Sequence, residues 1–308
     1  MKFKRSLFIM FITALLFALA ACSSDEPSSS NDAQDNTAND DAKTEEKSDA
    51  VLNIAIDGPP PTLDHPTSTA TAVRDTARLI YESLVATDAD FNPVPVLAES
   101  IETEDNQTYV FHLRQGVKFH NGEEMTAEDV VASMYRWMEK SGLTGNIFND
   151  ATWTAQDDYT VVLELAKPSA LTLDTLASAK QAAVIMPKEI VENAPPEGVS
   201  EYIGTGPYKF VEWKQDQYIH FTRFDDYQSP QGEANGLVGK KEAIIKDIYF
   251  HIVTDSSTRL SGLQTGQYDF IYGVPYDYYD QIQNDPNLDS LLTPAANPLM
   301  AFNNVEGI

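Results

Sequence analysis

The polar tract from Ser23 to Ala50 confines folding to the part of the chain that follows it. The tract contains no aromatic residue and no large aliphatic residue, and its charged side chains are nine acids and two lysines. Such a segment cannot bury enough apolar surface to offset the entropy that ordering costs, and its like charges extend it. We therefore expect residues 22–50 to form a disordered acidic tether and the folded body to begin at Val51.

The segment before this tract has the order of a secretory signal. Three basic residues within the first five positions precede an apolar run over residues 7–21. This run is shorter than the roughly 20 apolar residues that a membrane-spanning helix needs. Residues 1–21 are therefore predicted to be a signal peptide that is cleaved.

Cys22 is the only cysteine of the chain and lies where the apolar run meets the polar tract. The small residues Ala20 and Ala21 before it resemble the lipobox of bacterial lipoproteins, in which cleavage makes the cysteine the new N-terminus and acyl chains are attached to it. The resemblance implies that Cys22 is a lipidation site and that the protein is anchored to a membrane through its lipid, which takes more than one acyl chain. The alternative is an ordinary signal peptide whose cysteine lies at the cleavage site.

Composition excludes some functions. The net charge of −26 argues against a nucleic-acid partner, whose phosphates would be repelled. With a single cysteine there is no disulfide, so the core alone must hold the body together.

The body mixes strand-like and helix-like segments. The β-branched VLNIAI from Val51 and the alternating TYVFHL around Phe111 predict strands, and MTAEDVVASMYRWMEK predicts a helix that begins with a capping box at Thr126. Further strands are expected from Tyr159, Tyr208, Tyr218 and Ile244, and a helix is expected from about Asp255 to Gly266, before a strand at Phe270. This mixture favours an α/β fold over a sandwich or a helical bundle.

Another helix is predicted after the proline-rich loop DGPPPTLDHP. Five apolar residues have the spacing of one helical face, which would pack inward: Val73, Ala77, Ile80, Tyr81 and Leu84. Three charged residues would then face away from the core: Arg74, Asp75 and Arg78.

Signatures of catalysis and of metal binding are missing from the sequence. It contains no GxSxG elbow, HExxH helix or P-loop, and its five histidines are scattered without the spacing of metal ligands. GTGPY at Gly204 is followed by a strand-like segment rather than a helix, so we interpret it as a crossing loop and not as a phosphate cradle. No catalytic residue, metal or cofactor is expected.

Three stretches, in this order, resemble the bacterial extracellular solute-binding proteins of family 5, the peptide and nickel type that serves ABC importers. The first runs from LIYESLVATDADF to EDVVASMYRW, the second is IGTGPYKFVEWKQDQYIHFTRFDDY, and the third is SSTRLSGLQTGQYDFIYGVP. The resemblance covers the body from Val51 to the end of the chain.

The resemblance implies a two-lobed α/β fold of the periplasmic-binding-protein type (type II). The first lobe would span residues 51–274, with an inserted subdomain over about 89–204. Residues 275–308 would begin a second lobe that is incomplete, because members of the family are usually longer. A truncated, non-functional fragment is therefore one of the hypotheses.

In this family the ligand lies between the lobes, which implies ligand contacts from Thr69 and Arg74 at the start of the helix after the first strand. Lys180 interrupts an apolar stretch and would need water, a partner or a ligand carboxylate. The alternatives are that Arg74 only solvates an amphipathic helix and that Lys180 is a surface lysine.

The function that the resemblance implies is capture of oligopeptides or dipeptides outside the membrane and delivery to a permease with its ATPase subunits. The protein would act as a monomer at the cell surface, on the outer face of the cytoplasmic membrane, or in the periplasm of a Gram-negative cell. Alternatives are a binder of a nickel chelate or another small solute, and a surface enzyme such as a peptidase.

Overall fold

A computed structural model describes residues 47–291, and the predicted signal peptide, Cys22 and residues 292–308 lie outside this range. The strands are β1 (Val51–Ile56), β2 (Val85–Thr87), β3 (Pro93–Pro95), β4 (Ala98–Glu102), β5 (Thr108–Leu113), β6 (Thr152–Asp157), β7 (Thr160–Glu164), β8 (Tyr208–Lys214), β9 (Tyr218–Arg223), β10 (Asp247–Ile252) and β11 (Phe270–Ile271). The helices are α1 (Thr71–Ala77), α2 (Ala127–Lys140), α3 (Thr172–Leu176), α4 (Lys188–Glu192), α5 (Ser256–Gln264) and α6 (Tyr279–Gln283). Short 3₁₀ turns lie at His65–Thr67 and Tyr276–Tyr278.

The larger sheet has five strands in the order β11-β1-β10-β9-β8. β1 runs parallel to both β10 and β11, whereas β9 is antiparallel to β10 and β8. Ile54, Phe250 and Ile219 lie side by side across this sheet and are buried, as the alternation of β9 and β10 requires. On the opposite face, His220 stacks on Tyr249 with ring centroids 4.1 Å apart.

The second sheet is antiparallel, with the order β4-β5-β7-β6. Tyr109, Phe111 and Leu113 of β5 are buried, which confirms the predicted alternation. Helix α2 packs on this sheet and begins as predicted, because the Asp129 carboxylate accepts hydrogen bonds from the Thr126 backbone N–H at 2.8 Å and from its hydroxyl at 2.9 Å.

The four-stranded and five-stranded sheets have separate hydrophobic cores. The buried apolar residues around the four-stranded sheet all lie between positions 84 and 185, whereas those around the five-stranded sheet lie at positions 54–81 and 182–250. A third, smaller cluster joins α5 and α6 to Ala55 of β1. The proposed boundaries at residues 89, 204 and 274 remain predictions.

The helix predicted from Val73 to Leu84 is shorter than expected. It ends at Ala77, and Ile80 is buried in non-helical chain. The Leu79 and Ile80 carbonyls accept hydrogen bonds from the N–H groups of Tyr208 and Gly206, at 3.0 and 2.8 Å, whereas a helix that reached Leu84 would pair them with the N–H groups of residues 83 and 84.

The glycines of GTGPY allow this close approach. A Cβ at Gly204 would lie 2.3 Å from the Ile80 carbonyl oxygen, and one at Gly206 would lie 2.5 Å from that of Leu79. The neighbouring imidazole of His120 lies between the same backbone groups, since its Nε2 is 2.9 Å from the Gly206 carbonyl oxygen and its Nδ1 accepts from the Gly204 N–H at 3.4 Å. The motif is therefore a packed junction rather than an open loop.

A second junction is built on the buried carboxylate of Glu82. It accepts hydrogen bonds from the Tyr227 hydroxyl and the Lys241 ammonium, each at 2.8 Å, and from the Thr205 hydroxyl at 3.2 Å. Buried charges need such partners, so four separate parts of the chain meet here.

Protonation of His120 should destabilise the protein in acid. Burial lowers the pKa of its imidazole from 6.5 to about 4. The folded state therefore keeps His120 neutral while the unfolded chain takes up a proton. The contribution of His120 to folding stability is complete above pH 6.5 and is lost as the pH falls towards 4. In urea unfolding, the free energy of unfolding of the wild type should fall by about 2 kcal/mol more between pH 7 and pH 4.5 than that of His120→Gln. An equal loss in the variant and the wild type would contradict this.

Candidate functional site

The carboxyl ends of β1, β10 and β11 meet at one edge of the five-stranded sheet, because these neighbouring strands are parallel. We call the residues that follow them, 57–58, 253–254 and 272–273, the carboxyl edge. Backbone hydrogen bonds of 2.9 Å hold it together, from Val253 N–H to the Ile56 carbonyl and from Tyr272 N–H to the Ala55 carbonyl. In open α/β sheets ligands bind at such an edge.

Helix α1 brings charged side chains to this edge. Arg74 donates from Nε to the carboxylate of Asp75 at 2.9 Å, and Asp75 is 9% exposed, contrary to the prediction that it faces away from the core. Burial raises the pKa of the Tyr272 hydroxyl and Asp75 adds to this rise, whereas Arg78 and Arg74 oppose it. Tyr272 also packs against the hydrophobic cluster that contains Val73 and Ala77 of α1.

A buried ion pair fixes the loop between β1 and α1. Arg136 of α2 donates from Nη1 to Oδ1 of Asp64 at 2.9 Å and from Nη2 to Oδ2, and both side chains are nearly inaccessible to solvent. Oδ2 also accepts from the Val199 backbone N–H at 3.1 Å. This bidentate geometry orients the loop against α2.

His65, the next residue, joins this loop to the segment that carries Lys180. Its Nε2 donates to the Ala179 carbonyl at 3.2 Å, because a carbonyl can only accept. Burial is the main cause that lowers the pKa of His65 to about 4, and the cations Arg74 and Arg78 lower it further. The imidazole is therefore neutral at pH 7 and lies near α1.

The predicted ligand contacts lie in this region, and their roles stay predictions. Thr69 is exposed and precedes the N-cap residue Ala70, and Arg74 lies within α1 with 37% of its side chain exposed. Lys180 is exposed, so water solvates its ammonium. Within residues 47–291, no hydrogen bond or ion pair joins these three side chains to one another.

Sequence reasoning missed the partners that shape the site. Tyr272 belongs to a recognised stretch, yet its position beside α1 depends on the pairing of β11 with β1. Asp64 and Arg136 are 72 positions apart, and no local pattern signals that they pair. Arg78 could have been suggested by its helical spacing from Arg74.

An open groove of about 720 Å³ between α2 and α4 is lined by none of the residues of the carboxyl edge. Its rim carries exposed ion pairs, among them Lys188 with Glu128 at 2.9 Å and with Glu192 at 3.8 Å. Paired charges on exposed helix faces are typical of a solvated surface, so we place the candidate site at the carboxyl edge instead.

Two further features are absent from the described residues. Between residues 47 and 291, no group of three or more histidine, cysteine, aspartate or glutamate side chains has the geometry to hold a metal ion. In the same part of the chain, no helix has the length and apolar character to cross a membrane.

Comparison with known proteins identifies the family. The model of the bacterial extracellular solute-binding proteins, family 5 Middle, matches residues 92–307. The chain belongs to this family. Among curated family relatives, a probable peptide ABC transporter periplasmic-binding protein, y4tO of Sinorhizobium fredii, is 30% identical over 80% of this chain and 47% of its own length. The oligopeptide-binding protein AppA of Bacillus subtilis is 29% identical over 94% of this chain and 51% of its own.

Solved structures of family members confirm the predicted α/β fold of two-lobed periplasmic binding proteins. DppA from Helicobacter pylori in complex with the peptide STSA gives a TM-score of 0.67 at 26% identity, over 77% of this chain and 49% of that protein. AppA in complex with a nonapeptide gives a TM-score of 0.65 at 27% identity, over 78% of this chain and 46% of that protein. NikA from Brucella suis in complex with Fe(III)-EDTA gives a TM-score of 0.66 at 28% identity, over 76% of this chain and 46% of that protein. The chain spans about half the length of the relatives it matches.

Proposed function

We propose that this chain is part of the substrate-binding component of an ABC importer that captures oligopeptides or dipeptides. It delivers them to a permease driven by ATPase subunits, as a monomer. The family and the peptide-binding names of y4tO and AppA support this proposal. The single structural observation that carries it is the carboxyl edge, where the ends of the parallel strands β1, β10 and β11 meet.

Capture requires binding and release without a chemical step, so we propose that the protein is not an enzyme. An extended peptide offers backbone N–H and C=O groups that strand-like hydrogen bonds can satisfy. Closure of two lobes around it would exclude water and create the shape that the permease recognises.

The charges of α1 suggest how a peptide is oriented at the edge. Arg74 and Arg78 are the cations of this segment, and Arg74 already donates to the carboxylate of Asp75. We propose that Arg74 contacts the peptide carboxylate, with Thr69 and Lys180 as further contacts. A carboxylate held by a guanidinium makes strong, directional hydrogen bonds.

Calorimetry tests the peptide hypothesis. Di- to pentapeptides should give heats of binding, and a nickel–histidine chelate should give none. Binding of the chelate alone would replace the peptide hypothesis with that of a metal-chelate binder. The likeness to NikA in complex with Fe(III)-EDTA is the reason for testing this class.

A peptide and its C-terminal amide separate the role of Arg74 from general effects. Arg74→Gln should weaken binding of the free acid about tenfold, on the scale of one charge-assisted hydrogen bond, and should leave binding of the amide unchanged. Lys167→Gln, at an exposed position, is the matched control. Equal weakening of acid and amide by Arg74→Gln would contradict the proposed contact.

We also propose that Cys22 carries the lipid that anchors the protein to the outer face of the cytoplasmic membrane, or to a periplasmic membrane face in a Gram-negative cell. The small residues before it and the polar tract after it support this anchor. Expression with an alkyne-tagged fatty acid should label the wild type and not Cys22→Ala, and the variant should leave the membrane fraction. Labelling that persists in the variant would contradict the proposal, since the chain has no other cysteine.

A further inference from the structure

Arg259 of α5 is a buried cation that binds only backbone carbonyl groups. It is 3% exposed, and within residues 47–291 no ion pair joins it to a carboxylate. Nε donates to the Tyr272 carbonyl at 3.1 Å and Nη2 to that of Gly273 at 2.8 Å. Nη1 donates to the carbonyls of Val253 and Thr254, at 2.7 and 3.0 Å.

These four carbonyls belong to two segments that leave the sheet on either side of β1. Residues 253–254 follow β10 and residues 272–273 follow β11, and both strands pair with β1. The guanidinium therefore bridges the carboxyl edge from one side to the other. Because its donors form a rigid planar fork, it sets the distance and the direction between the two segments.

The backbone at Gly273 matches this arrangement. Its φ of +64° lies in the left-handed region that favours glycine. A Cβ there would lie 3.2 Å from the Asp57 carboxylate and 3.5 Å from Nη2 of Arg259. The turn by which the chain leaves β11 is thus enclosed between Asp57 and Arg259.

Helix α5 holds the guanidinium in place from its own first turn. The Asp255 carboxylate caps the helix by accepting from the Thr258 N–H at 2.7 Å, and hydrogen bonds with Ser257 and Thr258 lower the pKa of Asp255 to about 2. The cap directly follows residues 253–254, whose carbonyls accept hydrogen bonds from Arg259. Helix, cap and edge are therefore one rigid connection.

We propose that Arg259 is a positioning residue that fixes the path of the chain at Tyr272 and Gly273, and through it the Tyr272 side of the carboxyl edge. The inference deepens the proposed function, on which its consequence for ligand binding rests. The positioning itself needs no ligand and is tested without one.

Amide hydrogen exchange of the 308-residue chain tests the proposal. The Tyr272 and Val253 amides bond to carbonyls of β1 and report on the two segments. Arg259→Met keeps the length of the side chain and removes its donors, so these amides should exchange at least tenfold faster, the scale of one hydrogen bond to a charged group. Amides within β8 and β9 should exchange as in the wild type.

Arg114→Met is the matched control. Arg114 also donates to backbone carbonyls, those of Val96, Gln228 and Ser229, at 3.2, 2.7 and 3.1 Å, but it lies outside the carboxyl edge. Its loss should leave exchange at Tyr272 and Val253 unchanged.

Arg259→Lys gives a second measurement if the methionine variant does not fold. It keeps the charge and loses the planar fork, so exchange at Tyr272 and Val253 should rise while the thermal midpoint stays within a few degrees of the wild type. Unchanged exchange at both amides in the lysine variant would overturn the proposal, and so would a rise shared equally by β8 and β9. A failure to bind peptides would overturn the proposed ligand and leave these exchange results as they are.

Discussion

The buried ion pair between Asp64 and Arg136 is the interaction on which the arrangement of the site depends. Asp64 lies in the loop after β1 and Arg136 lies in α2, so the pair joins the five-stranded sheet to the unit built on the four-stranded sheet. Taking two charges out of water is expensive, and the bidentate geometry, with the Val199 N–H as a further donor to Asp64, offsets part of that cost. Once formed, such a pair tolerates little displacement, and the loop that carries His65 and leads into α1 is held with it.

The carboxyl edge follows from this constraint together with the parallel strands. The parallel pairing of β1 with β10 and β11 places three strand ends at one edge, and the loop held by Asp64 sets where α1 begins. The junctions at His120 and Glu82 then fix the return of the chain to the sheet at GTGPY. Binding proteins of this kind need rigid bodies around a ligand, because affinity depends on surfaces that are already in place.

Much of the fold could be predicted from the sequence because its signals are local. The capping box at Thr126, the alternation around Phe111 and the helix start near Asp255 each depend on a few neighbouring residues, and the structure confirms all three. The helix after the proline-rich loop ends earlier than its apolar spacing predicts, and the Leu79 and Ile80 carbonyls beyond it bond to a segment more than 120 positions away, a pairing that no local pattern shows. The strand that follows GTGPY indicates a crossing loop, but the sequence does not show that its glycines are required by close backbone packing against residues 79–80.

The candidate site was less predictable for the same reason. Arg74 could be singled out from its place at the start of the helix after the first strand, but Tyr272 reaches the carboxyl edge only by strand pairing, and Arg136 reaches the loop only through the packing of α2. Asp75 was predicted to face away from the core because helical spacing alone cannot show that a carboxylate is buried beside a guanidinium. Long-range pairing of polar groups leaves no periodic trace in a sequence.

A double-mutant cycle on Asp64→Asn and Arg136→Met, followed by urea unfolding, tests the central role of the ion pair most directly. Each single substitution leaves a buried polar group without its partner and should cost about 3–5 kcal/mol. The double variant should cost at least about 2 kcal/mol less than the sum of the two, because neither charge then remains unpaired. Additive losses, within about 0.5 kcal/mol, would contradict the account.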